Sequence, residues 1–469
     1  MSFLPSGKFA RIRRDLKDAI AGSDADYTQI SLRRSIFLLA VPMVLEMIME
    51  SLFALADIFF VSKLGPNAIA TVGLTESMMT IVYAIGVGLS VSTTAIVSRR
   101  IGEKKPDDAS QTAGQAIIAG IIVSVPIMIM GILYGKELLW LMSGSEEIVN
   151  EGYMYTAISL GGNVIIMLLF IMNAVFRSSG DAAVSMRVLF IANLINLVLD
   201  PCLIFGLGPF PELGLTGAAL ATAIGRGIAV IYQLLILFYG HKRVSLSFSH
   251  LRINTGIMFQ LLLNAAGVVA QHIIATSSWI ILIRLLASFG SYVIAGYTIA
   301  IRIVIFALLP SWGLSNAAST LVGQNLGAGR PDRAERSAWI AGFGNLIFMG
   351  LLGIFIIAFS SIWISFFTED PEIIRNGSLC LQIIGSGFVF YGFGMVMMQS
   401  FNGAGDSVTP TIMNIFCFWL FEIPLAWILA YEINLGQKGI YFAIVAGEAL
   451  LALTGIYLFR KGKWKNKKV

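Results

Sequence analysis

Ile101-Gly102-Glu103-Lys104-Lys105-Pro106-Asp107-Asp108-Ala109 and Leu326-Gly327-Ala328-Gly329-Arg330-Pro331-Asp332-Arg333-Ala334 carry Gly, Pro, Asp and Ala at the same places, 225 residues apart. The same interval separates Gly65 and Ile69-Ala70 from Gly290 and Ile294-Ala295, and Glu147-Ile148 with Gly152 from Glu372-Ile373 with Gly377. It also separates Phe176 and Gly180-Asp181 from Phe401 and Gly405-Asp406, and Gly214 with Ala218 from Gly439 with Ala443. Five loops in one register mean that the chain is a duplication.

Between these loops the sequence is apolar. Of 469 residues 57% are hydrophobic and 13% charged, against about 45–50% and about 25% in a soluble domain. That composition excludes a disordered chain, a coiled coil, a disulfide scaffold and an ordinary cytosolic enzyme. At roughly 20 residues per membrane helix there is material for about a dozen spans. Gly, Pro and charge punctuation places them near 35–61, 69–98, 113–134, 151–176, 188–206 and 214–239, then 257–289, 293–325, 337–362, 373–401, 411–433 and 438–460. Each half has six spans, so the second half enters the membrane from the same side as the first. The expected fold is all-α and integral to the membrane: two parallel six-helix repeats, an N-lobe and a C-lobe, around a central cavity. Transporters built from such repeats carry substrate at the interface between halves.

Of the Lys and Arg outside the spans, 25 fall in the termini and the even-numbered loops, and only Lys63, Lys136, Arg375 and Lys438 in the others. This asymmetry predicts that both termini are cytoplasmic. It also explains the net charge of +5 without nucleic acid. The expected domains are a basic N-terminal segment (1–34), the N-lobe (35–240), a cytoplasmic linker acting as hinge (241–256), the C-lobe (257–460) and a basic tail (461–469). No cleavable signal opens the chain. Phe9, Ile12, Leu16 and Ile20 share one helical face, which suits either a helix lying on an anionic leaflet or a frayed basic tail. Cys202, Cys380 and Cys417 read as small core residues, and His241, His250 and His272 show no ligand spacing. No transition-metal site or cofactor is expected.

The chemistry lies in the charges within the spans. Glu46, Glu50, Asp57, Glu76, Asp200, Glu422 and Glu448, with Arg226, Arg284 and Arg302, would cost roughly 2.5–3.5 kcal/mol each if they faced lipid at mid-depth. They must line water or pair, and Arg284 and Arg302 are expected to partner carboxylates. In the first span Glu46, Glu50, Phe53 and Asp57 form one stripe at about 100° per residue. In the fifth, Asn193, Asn196 and Asp200 share a face. Asp57, Asp200 and Thr222 all lie roughly 9–12 Å from the outer ends of their spans at 1.5 Å per residue. Two carboxylates, an amide and a hydroxyl at one depth form an oxygen-only cation site. It suits a hard monovalent cation such as Na+ and equally a proton, which two close carboxylates in a dry site share. Glu46 and Glu50 either attract a cationic substrate or bond internally. Met43, Met47 and Met49 with Met395, Met397 and Met398 serve as an adaptable surface or as plain core. Pro42, Pro126, Pro201, Pro310 and Pro424 are candidate bends, and Asn376-Gly377-Ser378 is a sequon on the outer side.

Ala56-Asp57-Ile-Phe-Phe-Val61 with Leu64-Gly65, Arg99-Arg100-Ile-Gly102, Phe176-Arg-Ser-Ser-Gly-Asp181, Asn196-Leu-Val-Leu-Asp200-Pro201 and Gly217-Ala-Ala-Leu-Ala-Thr222 resemble the multidrug and toxic compound extrusion (MATE) family, over about residues 31–460. The resemblance implies a secondary antiporter that exports organic, cationic compounds against inward H+ or Na+, with small-molecule substrates, membrane lipids around it and no nucleic-acid partner. It is read as a monomer of the bacterial cytoplasmic (inner) membrane. In the DinF-like branch the resemblance puts the coupling site in the N-terminal half, at Asp57, Asn196, Asp200 and Thr222, with Tyr155 and Asn173 nearby. The NorM-like branch has a carboxylate in the seventh span, where this chain has Ala270-Gln271-His272-Ile273, and Asp57 has Leu282 as its duplicate. This argues against a second ion site in the C-terminal half. The alternatives are a lipid or lipid-linked oligosaccharide flippase of the same superfamily, for which the first span is too acidic, and an intramembrane aspartyl protease. The latter rests on Gly403-Ala-Gly405-Asp406, which lacks a second intramembrane aspartate nearby. No phosphate-cradling GxxxxGK[ST] loop is present, which points away from ATP drive.

Overall fold

The computed structural model describes residues 6–240 and 243–467, and among these every regular element is helical. His241 and the side chain of Phe9 lie outside the described part. Among the described residues eleven helices are long and apolar enough to cross a membrane: Leu32–Ser62, Pro66–Gly102, Pro106–Ser143, Glu146–Ser179, Ala182–Phe205, Gly214–Tyr239, Thr255–Phe289, Ser291–Gly327, Pro331–Ala358, Val408–Glu432 and Gln437–Arg460. The pair Pro371–Ser386 and Phe388–Gly403, bent by 52°, supplies the remaining span. The chain is therefore an integral membrane protein of twelve spans, numbered here in chain order.

The duplication is written in the backbone as well. Gly65 (φ 102°) and Gly290 (φ 103°) turn the chain into the second and eighth spans. Lys104 (φ 61°) and Gly329 (φ 67°) occupy the same left-handed position one residue apart from Lys105 and Arg330. The third span leaves helical geometry at Tyr134 (φ −122°), and the ninth at the equivalent Phe359 (φ −113°), after which a short helix Ser360–Ser365 follows. Gly162 and Gly387 interrupt the fourth and tenth spans. The helices run through Pro42, Pro126, Pro201 and Pro310. In the third span the break therefore sits at Tyr134, not at its proline.

The chain packs as two units. One comprises Leu45–Ala266 with the N-terminal residues up to Ala25, the other Asp26–Val44 with Gly267 onward. The first and seventh spans are each divided between them. In the second unit, Gly313 lets the eighth span close on the carbonyl of Met43: a Cβ there would stand 2.7 Å from that oxygen. In the first unit, Ser92 Oγ donates to the carbonyl of Leu261 at 2.9 Å.

The described part of the linker is tied to the first unit. Arg243 donates to the carbonyls of Ser179, Ser23 and Ala25 at 2.8, 3.1 and 3.0 Å. Gln115 Nε2 donates to the carbonyls of His250 and Arg252 at 3.0 and 2.8 Å. Ser6–Ala21 is helical, with Ile12, Leu16 and Ile20 exposed along one face.

Candidate functional site: a buried oxygen cluster in the first unit

The fifth and sixth spans approach backbone to backbone because glycines line the contact. A Cβ on Gly217 would stand 2.3 Å from the carbonyl oxygen of Leu203, and one on Gly225 3.0 Å from that of Ala192. Small residues at a membrane helix contact permit this approach, and it brings Thr222 against Asn196. Asn196 Nδ2 lies 3.2 Å from Asp200 Oδ1, one turn along its own helix, and 3.2 Å from Thr222 Oγ1. Asp200 is fully buried and Asn196 2% exposed. Their remaining oxygens, Asn196 Oδ1 and Asp200 Oδ2, have no hydrogen-bond partner.

Asp57, half-buried on the first span, lies within electrostatic reach of Asp200 and of Arg226 and Glu76. Tyr155 is in reach of Asp57 and Glu76 and packs against the apolar cluster that includes Val61, Val72 and Ile204. The structure thus gathers Asp57, Asn196, Asp200, Thr222 and Tyr155 in one neighbourhood. A buried carboxylate with an orphaned oxygen beside an orphaned amide oxygen is an unpaid desolvation cost of several kcal/mol. A cation or a proton held between these oxygens would offset it.

The rest of the acidic stripe is engaged elsewhere. Glu46, 1% exposed, receives Arg177 Nη1 at 2.9 Å, and Arg177 also donates to Ser90 Oγ at 3.3 Å. Arg177, counted with the loop charges in the sequence, is a buried residue of the fourth span. Glu50 pairs with Arg226 Nη2 at 3.1 Å. That guanidinium lies 5.0 Å from the centre of the Phe53 ring and within electrostatic reach of Tyr83. Asn173 Oδ1 accepts from Gln233 Nε2 at 2.6 Å rather than from the cluster. In the sequence Arg226 and Glu76 count only among the in-span charges expected to line water or pair, and Tyr83 has no role. Arg226 follows Thr222 by one helical turn, which is the signal that could have found it; nothing comparable marks Tyr83.

In the second unit Leu282, the duplicate of Asp57, is fully buried among Leu286, Tyr297 and Ala300. Gln271 donates to Asn402 Oδ1 at 3.2 Å and to the carbonyl of Ser407 at 3.0 Å, and His272 stacks on Trp312 with ring centres 6.4 Å apart. Arg284 and Arg302 are exposed, and neither has a carboxylate within ion-pair distance among the described residues, against the expected pairing. Asp406 accepts from Thr409 Oγ1 at 2.7 Å and faces Lys467 Nζ at 3.3 Å, a turn-capping arrangement. Asn376 of the sequon is buried, its Oδ1 receiving Gln437 Nε2 at 2.9 Å, so the amide is not open to a glycosyl carrier. Among the described residues no three His, Cys, Asp or Glu side chains converge as metal ligands.

The family model MatE matches residues 42–202 and 268–428, one match in each half. The "Probable multidrug resistance protein NorM" of Thermotoga maritima is 25% identical over 448 residues, covering 93% of this chain and 94% of that protein. The "FAD transporter" of Shewanella oneidensis is 26% identical over 415 residues, 87% and 90% of the two chains. A solved structure described as the outward-facing conformation of a multidrug resistance MATE family transporter of the MOP superfamily superposes with a TM-score of 0.86 at 25% identity, covering 92% and 96%. A MOP superfamily transporter from Pyrococcus furiosus, described as having a binding pocket of reverse polarity that suggests a different function, superposes with a TM-score of 0.87 at 25% identity, covering 94% and 98%.

Proposed function

This chain belongs to the MatE family, and from that premise we propose that it is a secondary active multidrug exporter, with no enzymatic activity, that exchanges organic cations for inward H+ or Na+. The observation that carries the reading is Asn196 bridging Asp200 and Thr222 while a buried oxygen of Asn196 and another of Asp200 stay unpartnered. In this reading the coupling ion binds at Asp57, Asn196, Asp200 and Thr222, as in the DinF-like branch, with Tyr155 beside it. Glu50 and Arg226 hold the neighbouring wall, and Glu46 with Arg177 and Asn173 with Gln233 are structural. Ion binding from outside neutralises the cluster and favours the conformation that releases substrate; ion release inside resets it. The two conformations must bind the ion differently, or its gradient could do no work. The protein works as a monomer in the bacterial cytoplasmic membrane with both termini inside.

The test is ethidium export from reconstituted vesicles under separately imposed pH and sodium gradients. Export driven by one of these gradients and lost in Asp57→Asn and Asp200→Asn supports the reading. Gradient-driven export that survives in both variants sinks the site assignment.

A second reading, an organic anion as cargo, is favoured by Arg302. This exposed guanidinium stands eleven residues into the eighth span, about 16 Å along its axis. A relative named for FAD points the same way. Competition between ethidium and a flavin nucleotide in the same vesicles separates the two. A lipid-flippase reading has no comparable support.

A further inference from the structure

The eleventh span departs from the α-helix. It is π-helical over Ile415–Glu422 and again over Ile428–Glu432. A π turn closes one residue later than an α turn, and such turns cluster at functional sites. The span is one residue longer than its repeat, 25 residues against 24, which fits one such insertion. Its repeat, the fifth span, ends at Phe205, whose counterpart is Ala430, whereas the eleventh runs on to Glu432. One extra residue in the first π segment brings Glu422, instead of Phe421, onto the face that Asn196 takes in the fifth span.

The contacts agree with that shift. Thr222, the hydroxyl that Asn196 touches, has Gly447 as its counterpart. A Cβ on Gly447 would stand 2.7 Å from Glu422 Oε2. The carboxylate therefore fills the space that a side chain at Gly447 would need, and the next residue is Glu448. Glu422 is 1% and Glu448 8% exposed. Glu422 Oε1 has no hydrogen-bond partner, and neither glutamate stands in an ion pair among the described residues. The titratable groups in electrostatic reach are Glu448 for Glu422, with Tyr297, Tyr391 and Cys417 on the packed eighth, tenth and eleventh spans. Cys380 is in reach of Tyr297 and Tyr391, and Tyr441 stacks on Tyr297. None of these is basic.

Two buried carboxylates without a counter-charge cannot both be ionised at tolerable cost. A dehydrated divalent metal ion would need about six oxygens, more than this wall of tyrosine and cysteine offers. We propose that Glu422 and Glu448 form a proton-binding pair in the C-terminal half, one carboxyl O–H donating to an oxygen of the other. The pair goes beyond the coupling site proposed above and occupies the eleventh and twelfth spans, not the seventh.

Infrared difference spectra of the purified protein, recorded between acidic and alkaline pH, test this without any transport assay. The expected result is a carboxylic-acid C=O band that Glu422→Gln and Glu448→Gln each abolish, that Asp57→Asn and Asp200→Asn leave in place, and that sodium at fixed pH does not remove. Spectra of both glutamine variants that superimpose on the wild type overturn the proposal. So does a band removed by sodium, which would make the pair a metal site. If Glu422→Gln does not fold, Gly447→Ala serves instead: its methyl presses on the Glu422 carboxylate and must shift the band, and an unshifted band is equally fatal. The coupling-site reading fails separately, through transport in the aspartate variants.

Discussion

The Glu46–Arg177 pair sets the boundary of the ion site, and separating it gives the most exacting prediction. Both side chains are nearly sealed, at 2% and 9% exposure. Arg177→Met removes the guanidinium bonded to Glu46 and leaves a buried carboxylate unpaired, which costs about 3–5 kcal/mol. Glu46→Gln keeps an oxygen that accepts from Arg177 but weakens the charge-assisted hydrogen bond, costing about 1–1.5 kcal/mol, the difference between the two kinds of bond. The two changes share one interaction, so the double variant is expected to be more stable than the sum of the singles by about 2 kcal/mol. The assay is denaturant unfolding in mixed micelles for the four proteins of the cycle, with ion-driven export measured on each at matched folded fraction. The reasoning requires lower stability and an unchanged ion dependence of export. If Glu46→Gln leaves stability intact but alters which ion drives export, or how much is needed, Glu46 belongs to the coupling site and the boundary drawn here is wrong.

Further outcomes follow from other contacts. Gly217→Ala places a methyl 2.3 Å from the Leu203 carbonyl; it should part the fifth and sixth spans, separate Thr222 from Asn196 and weaken ion dependence, seen as a raised ion concentration for half-maximal export. Lys104→Gly relieves a left-handed residue at φ 61° and should raise stability by about 1 kcal/mol, measured by the same unfolding assay. Lys465, outside the spans, has its pKa raised from 10.5, first by its hydrogen bond to Glu335. The contact at 2.6 Å should therefore hold the C-terminal segment fully below the ordinary lysine range and loosen it as pH climbs through the raised value, read as alkaline-onset proteolysis that Lys465→Met makes independent of pH.

Spans, duplication and family were legible in the sequence because each is a one-dimensional signal: apolar length, charge asymmetry and a fixed interval. The core of the candidate site was legible for a related reason. Asn196 and Asp200 are one helical turn apart, and the depth of Thr222 follows from counting residues. Partner choice across helices was not. Arg177 sits next to polar Ser178 and Ser179 and reads as a loop charge, yet its side chain reaches back to Glu46. Arg284 and Arg302 read as partners for carboxylates, but among the described residues neither has one within ion-pair distance. The sequon at Asn376 is a surface pattern whose amide the fold turns inward toward Gln437. The π segments of the eleventh span leave no mark in composition, and without them the 225-residue register pairs Asn196 with Phe421 and hides Glu422.

The measurement that tests the central claim most directly is substrate-induced ion release from the purified protein, followed as protons in weak buffer and as sodium by tracer. The account predicts release of one kind of ion from wild type and from Glu46→Gln, and none from Asp57→Asn or Asp200→Asn. Equal release from wild type and Asp200→Asn would contradict it.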